Sequence, residues 1–251
     1  MSAPYDAELR LAMVAARKAG EVLAEAMQRE HQILSQEGRD IKLQADRDAE
    51  QIILDELASS AYNVLAEESG EHGELDAGKP FWIVDPLDGT LNFSRGIPAC
   101  CVSIALSTVD TPILGVVYDF NRDELFSGLA GAGCWLNAAP VRVSSIERAD
   151  LAVLSTGFPV NFEYTDEGLH AFAERIRRFR KVRMFGSAAL SLSYVACGRV
   201  DAYSEDDIMF WDVAAGLALV QAAGGFIHVE PSRKKWARRV RCAAHRSIWG
   251  L

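Results

Sequence analysis

The apolar run Trp82-Ile83-Val84 stops at Asp85-Pro86-Leu87-Asp88-Gly89-Thr90, and no other stretch of the chain constrains its fold as tightly. A run so short and so apolar reads as a buried strand. Proline sets its own φ and removes an N–H, so the chain turns rigidly at the strand end. Asp-Gly-Thr then reads as a turn leading out. Two carboxylates three residues apart, with the Leu87 carbonyl between them, can point into one pocket. An all-oxygen set with no His or Cys suits a hard cation such as Mg²⁺ rather than zinc. Gly89 permits close backbone approach, and the Gly89 and Thr90 amides can cradle an anion as a nest or helix start does.

Two further acidic signatures stand apart from this one. Glu67-Glu68-Ser69 follows the apolar Asn63-Val64-Leu65-Ala66, and Asp212 opens the apolar Val213-Ala214-Ala215-Gly216 behind Trp211. Taken singly, a D-x-x-D-G-T is an Asx-capped turn and Asp212 is a helix N-cap. Three acids at the ends of three apolar elements point instead to a site, and oxygen ligands beside an anion cradle point to metal-dependent phosphate chemistry.

The rest of the chain reads as one layered α/β unit over 1–251, with an α+β half (1–145) that carries the metal motifs and an α/β half (146–251). Helices are expected from Asp6 to Arg29, where Leu9, Leu11, Met13, Val14, Val22, Leu23 and Met27 recur at helical spacing, and from Asp46 to Leu57. Gln36–Asp40 and Gly70–Lys79 read as polar loops. Val102–Leu106, Ile113–Tyr118, Glu124–Ser127 and Cys134–Leu136 read as an antiparallel meander turning at residues such as Asp110, Asn121 and Arg122. Strands at Leu151–Ser155, Val182–Phe185, Val200–Tyr203, Phe226–Val229 and Val240–Ala243 interleave with helices at Glu167–Arg178, Ala188–Cys197 and Val213–Ala222.

The net charge of −9 argues against a nucleic-acid or anionic-membrane partner for the surface as a whole. Two basic clusters, Arg175–Arg183 and Arg233–Arg241, read as solvated faces. Five cysteines without a CxxC pair read as reduced thiols, with Cys100-Cys101 buried in a strand. The N-terminus lacks the basic and apolar regions of a leader, and no stretch is long and apolar enough to span a bilayer, so a cytoplasmic location is expected.

Ala66-Glu67-Glu68-Ser69, Trp82 to Phe93 and Trp211-Asp212-Val213-Ala214-Ala215-Gly216 resemble the signature motifs of the inositol monophosphatase family. Glu124-Leu125-Phe126, Thr156-Gly157-Phe158-Pro159, Gly186-Ser187-Ala188-Ala189 and Ala223-Gly224-Gly225 follow in the family's order. The resemblance runs from about Leu9 to the C-terminus. It implies the layered αβαβα sandwich of the inositol monophosphatase and fructose-1,6-bisphosphatase type, commonly a homodimer, that hydrolyses small phosphate monoesters with two to three Mg²⁺.

By the same resemblance, Glu67, Asp85 and the Leu87 carbonyl would hold a first Mg²⁺ and Asp85, Asp88 and Asp212 a second. Glu67 would help a third. Thr90 with Glu67 would orient and activate the attacking water, and Asp46 would stand behind the metals. Gly89 and Thr90 would bind phosphate, while Asp88, Ala188, Glu205 and Asp212 would face the alcohol. A polyol phosphate such as myo-inositol 1-phosphate is the expected substrate, with histidinol phosphate and fructose 1,6-bisphosphate as alternatives within the fold. A 3′-phosphoadenosine phosphatase fits less well, and a non-enzymatic phosphate-binding regulator is the rival of another class. One departure stands before the second helix: Asp40-Ile41-Lys42-Leu43-Gln44-Ala45-Asp46 places Leu43 where many relatives have threonine.

Overall fold

The computed structural model describes residues 4–28, 33–37, 40–76, 78–109, 111–158, 162 and 164–251. The chain begins with α1 (Asp6–Ala26), a hairpin of β1 (Ile33–Glu37) and β2 (Asp40–Leu43), and α2 (Gln44–Leu57). An eight-stranded sheet follows, built from β3 (Val64–Ala66), β4 (Gly70–His72), β5 (Phe81–Asp88), β6 (Cys101–Ser107), β7 (Pro112–Asp119), β8 (Glu124–Leu129), β9 (Gly133–Leu136) and β10 (Ala139–Val141). The short helix α3 (Thr90–Ser94) interrupts it after β5.

The remaining elements are β11 (Val153–Thr156), α4 (Asp166–Ile176), β12 (Lys181–Arg183), α5 (Ala188–Ala196), β13 (Ala202–Met209), α6 (Phe210–Ala222), β14 (Phe226–Pro231) and β15 (Ala237–Ala243). Their strands form a five-stranded sheet in the order β12-β11-β13-β15-β14.

Period-two alternation along β5 explains the layering. Trp82 and Val84 join one core with Leu9, Ala12, Ala16 and Leu23 of α1 and Ile53 of α2. Phe81 and Ile83 face the other way, into a second core with Leu192 of α5, Val213 and Leu217 of α6, and Tyr203 and Val240 of the five-stranded sheet. Beyond that sheet Ala152, Leu154, Ala202 and Ala243 pack on Phe179 and Trp249, with Ile176 of α4 beside them. The order helix–sheet–helix–sheet–helix is the expected αβαβα sandwich.

Several sequence expectations are corrected. Gln36, Glu37 and Asp40 are strand rather than loop: Glu37 pairs with Asp40 across the β1–β2 hairpin, while 38–39 lie outside the described residues. Gly70–His72 is a strand rather than loop, paired antiparallel with β3, and β10 extends the meander beyond Leu136. Thr90 opens a helix where a turn alone was expected. Residues 149–151 form a 3₁₀ turn, so the strand there starts at Val153. β13 runs on to Met209, six residues past Tyr203, because β15 continues to pair with it. Arg29, Asp110 and Pro159 lie outside the described residues.

The buried face of α1 is made mainly of Ala12, Ala15, Ala16, Ala19 and Gly20, while Val14 and Val22 face outward. Small residues let the helix settle on Tyr118 and Phe120. All five cysteines are free, and Cys100, Cys101, Cys134 and Cys242 are buried.

Helix α6 is clamped between the sheets at backbone distance. A Cβ on Gly115 of β7 would overlap the Ala215 carbonyl, and one on Gly216 would strike Leu192 of α5. Neither obstacle is a flexible side-chain end, so Gly115→Ala should push α6 off the sheet. We expect a loss of about 1–3 kcal/mol in denaturant unfolding, the usual cost of overpacking. A change below about 0.5 kcal/mol, the size of an ordinary surface substitution, would show that the contact yields freely.

Candidate active site

The acids meet because β5 carries a bulge. In a regular strand, residues three apart point to opposite faces. Asp85 pairs with Ser103 and Asp88 with Cys101, so two residues of β5 lie opposite the single Val102 of β6. The extra residue inverts the alternation: Leu87 turns into the α1–α2 core, and both aspartates reach the α5–α6 side. Pro86 sits in that bulge, where a missing N–H is tolerated, so it marks an irregularity within the strand instead of its end. Leu87 N donates to Asp85 Oδ1 at 3.0 Å.

Gly89 follows with φ of +95°, and a Cβ there would lie 2.8 Å from the Ala99 carbonyl. Only glycine meets both demands cheaply. Its carbonyl accepts from Phe93 N and starts α3. At the first position of that helix, Thr90 Oγ1 donates to the Leu87 carbonyl at 3.0 Å, so the two groups named from sequence lie in direct contact.

Asp88 is held from the other half of the chain. Its Oδ2 accepts from Ser187 Oγ at 2.5 Å and from Ala189 N at 2.6 Å, with Ala188 N and Cys101 Sγ also directed at the carboxylate. Ser187 is the N-cap of α5 and accepts from Leu190 N. Asp88 thus completes the start of a helix that follows it by a hundred residues, where the helix dipole favours negative charge. Burial pushes Asp88 up to about 6 despite these donors.

Glu67 lies just past β3, with its N–H on the Val84 carbonyl of the parallel neighbour β5. The next amide, Glu68 N, donates to Glu50 Oε2 at 2.9 Å. Buried Glu50 of α2 therefore secures the turn that presents Glu67. Asp212, in the first turn of α6, accepts from Met209 N and so is not itself the N-cap. Burial raises Asp85 and Asp212 well above the usual carboxylate range, and Glu67 and Asp88 add repulsion to both. Glu67 also lies within side-chain reach of Asp85 and raises it further.

Beside this cluster opens a cavity of about 390 Å³ lined by Asp88, Thr156, Phe158, Ala188, Glu205 and Ile208, among others. Glu205 is buried on β13 and accepts from Tyr203 Oη at 3.0 Å. Burial, reinforced by Asp88 and Asp206, pushes it up to about 7. Glu205 is thus a buried strand residue beyond the expected strand end at Tyr203. Gly157 leaves room for that carboxylate, since a Cβ there would lie 2.9 Å from Oε2. A wider crevice of about 700 Å³ lies elsewhere, where Arg175 and Arg239 pair with Asp206.

Asp46 is buried at the start of α2, and its Oδ2 accepts from Leu43 N at 2.6 Å. Leucine has no oxygen to return that bond, so only the acid half of a capping box is present.

The parts that Ser187, Cys101 and Glu50 play at the site were not read from the sequence. Ser187 before two alanines carries an N-cap signal, but nothing local shows that its hydroxyl reaches Asp88. The basic clusters are also less uniform than expected: Arg175 is ion-paired with Asp206 and Arg238 is buried.

The donor set fits a divalent cation on the evidence of its own strain. Asp85 and Asp212 are each raised by burial and by neighbouring acids, Asp88 among them, a repulsion that a divalent cation among their oxygens would relieve. Among the described residues, no three acids, histidines or cysteines are drawn into a closed coordination shell. No helix among them is long and apolar enough to cross a membrane.

Known proteins of the same pattern exist. The chain is 43% identical over 202 residues to an inositol-1-monophosphatase of Synechocystis, covering 78% of this chain and 70% of that one. It is 40% identical over 218 residues to the Nus factor SuhB of Xylella fastidiosa, covering 85% and 78%. Among solved structures, the inositol monophosphatase of Anabaena superposes with a TM-score of 0.85 at 35% identity, covering 98% of this chain and 93% of its own. Residues 6–248 match the profile of the inositol monophosphatase family, and the chain belongs to that family of metal-dependent phosphoric monoester hydrolases acting on small phosphate monoesters.

Proposed function

We propose that the chain hydrolyses a small polyol monophosphate, myo-inositol 1-phosphate or a close analogue, with Mg²⁺ held by Glu67, Asp85, the Leu87 carbonyl, Asp88 and Asp212. The observation that carries this reading is the convergence of four carboxylates, buried Asp85 and Asp88 of β5 with half-buried Glu67 just past β3 and Asp212 of α6, beside a cavity. When bound, the cations neutralise phosphate charge and lower the pKa of the attacking water. The Leu87 carbonyl has two lone pairs, so the bond from Thr90 leaves one for a cation. Thr90 and Glu67 orient the water, and the Gly89 and Thr90 amides steady the phosphate. Serine and cysteine nucleophiles are not needed, and burial keeps Cys101 a thiol by raising it well above its usual range.

Selectivity falls to the cavity. Glu205 and Asp88 accept hydrogen bonds from alcohol hydroxyls, and Ala188 lies beside them. A second phosphate near Glu205 meets like charge, which disfavours a bisphosphate. The family resemblance further supports a cytoplasmic homodimer of one domain per chain.

Phosphate release should vanish on exhaustive chelation, return with Mg²⁺ and fall with Ca²⁺, whose looser coordination spoils in-line geometry. Asp88→Asn and Asp212→Asn should each lower turnover far more than tenfold with the fold intact by circular dichroism; a loss of less than about tenfold would remove that residue from the metal site. Full activity after chelation would remove the metals altogether.

Metal-free stability gives a second test. Asp88 and Glu205 keep their protons to about 6 and about 7 when folded, against roughly 4 when unfolded. The folded state therefore binds more protons across that window, and stability should fall as pH rises through it. Mg²⁺ should raise the melting temperature more at pH 8 than at pH 5; an equal rise at both would detach cation binding from these acids.

A panel of inositol, histidinol, nucleotide and fructose phosphates decides the substrate. Glu205→Gln should raise KM for the polyol phosphate while leaving a plain aryl phosphate nearly unchanged. Equal effects on both, or a wild-type preference for the bisphosphate, would reject the role given to Glu205.

A further inference from the structure

Trp236 lies in the connection from β14 to β15, far in sequence from β4 and β5, yet it touches both strands and α6. Its indole Nε1 donates to Glu71 Oε1 at 3.0 Å, and Lys235 Nζ donates to the same oxygen at 2.5 Å. Glu71 belongs to β4, opposite Leu65, immediately beyond the turn that presents Glu67. The indole ring stacks parallel on Phe210, with centroids 6.5 Å apart, and meets Phe81 edge-on at 5.9 Å. Phe210 is the first residue of α6, two before Asp212, and its N–H donates to the Trp236 carbonyl at 2.8 Å. Phe81 begins the strand that ends in Asp85 and Asp88. The Arg238 guanidinium lies over the Phe210 ring, 4.5 Å from its centroid, and the Lys235 ammonium lies over the indole at 4.9 Å.

One side chain therefore joins the supports of Glu67, of the β5 aspartates and of Asp212. Those supports belong to the eight-stranded sheet and to the helix layer beside it, and the charges they carry repel one another. Aromatic contacts between them contribute about 0.5–1.5 kcal/mol each beyond area burial. The Glu71–Lys235 pair is exposed and weaker.

We propose that Trp236, together with Glu71 and Lys235, is a positioning device that spans the two sheet layers and holds Glu67, Asp85, Asp88 and Asp212 together, thereby setting affinity for the divalent cation. The proposal rests on the metal-site reading above. Trp236 touches neither the cavity nor the acids themselves, so its effect belongs to metal binding and not to the chemical step.

The test titrates Mg²⁺ alone into metal-free protein by calorimetry, alongside kcat at saturating Mg²⁺. Trp236→Leu should weaken Mg²⁺ binding about tenfold, in the range seen when supports behind metal ligands are lost, while saturating kcat changes much less. Trp236→Phe keeps the ring and should restore most of the affinity. Glu71→Gln should weaken binding slightly at low salt, the difference closing at high salt as screening predicts for an exposed pair. Should Trp236→Leu not fold, the Trp236→Phe, Glu71→Gln double variant tests the same link, with an expected loss of about threefold, modest as befits exposed polar contacts.

Unchanged Mg²⁺ affinity in folded Trp236→Leu, or in the double variant, overturns the proposal even if the melting temperature falls. A fall in saturating kcat with affinity intact overturns it too. A wild-type protein that takes up no Mg²⁺ would overturn the metal-site reading itself, and the positioning role with it.

Discussion

Like charge buried between two sheets is the constraint to which the rest of the molecule answers. Asp85, Asp88 and Asp212 are each raised by burial, and Asp85 and Asp212 are lifted further by their acidic neighbours. Repulsion of that kind would spread the elements apart unless stronger packing opposed it. The opposition comes from α6, whose backbone lies against Gly115 and whose neighbour α5 lies against Gly216. Close apolar packing supplies rigidity, and rigidity makes a cluster of repelling acids ready for a cation.

The same packing divides labour between the halves of the chain. β3 and β5 bring Glu67, Asp85 and Asp88, while α6 brings Asp212 and β13 brings Glu205. The halves meet at hydrogen bonds that satisfy both at once. Asp88 caps α5, and α5 in turn lines the cavity beside Asp88. Loosening one side of such a bond leaves a buried polar group on the other, so the site and the fold are stabilised by shared contacts.

Much of this was legible in the residues. Acidic motifs ending apolar runs and an alternation of strand and helix signals led to a layered α/β chain with metal-dependent phosphate chemistry, and the family resemblance pointed to Asp88, Ala188 and Glu205 beside the cavity. Local grammar was weaker where pairing partners decide the outcome. Gly70–His72 is too polar to announce a strand, and it becomes one because β3 offers it an edge. The strand expected over Val200–Tyr203 stops short of Glu205, and pairing with β15 carried it through that residue and buried it.

What the sequence by itself determined is the chemistry available: carboxylates at the ends of apolar runs, a glycine turn after Asp88, and a family signature in consistent order. Tertiary structure alone decided how those groups face one another. Asp85 and Asp88, three residues apart, would lie on opposite faces of a regular strand, and only pairing with β6 creates the bulge that turns them together. Likewise Ser187 and Glu50 carry no mark of their service to Asp88 and to the Glu67 turn. Those contacts span sequence separations of 99 and 18 residues, and they exist because packed layers bring distant backbone together.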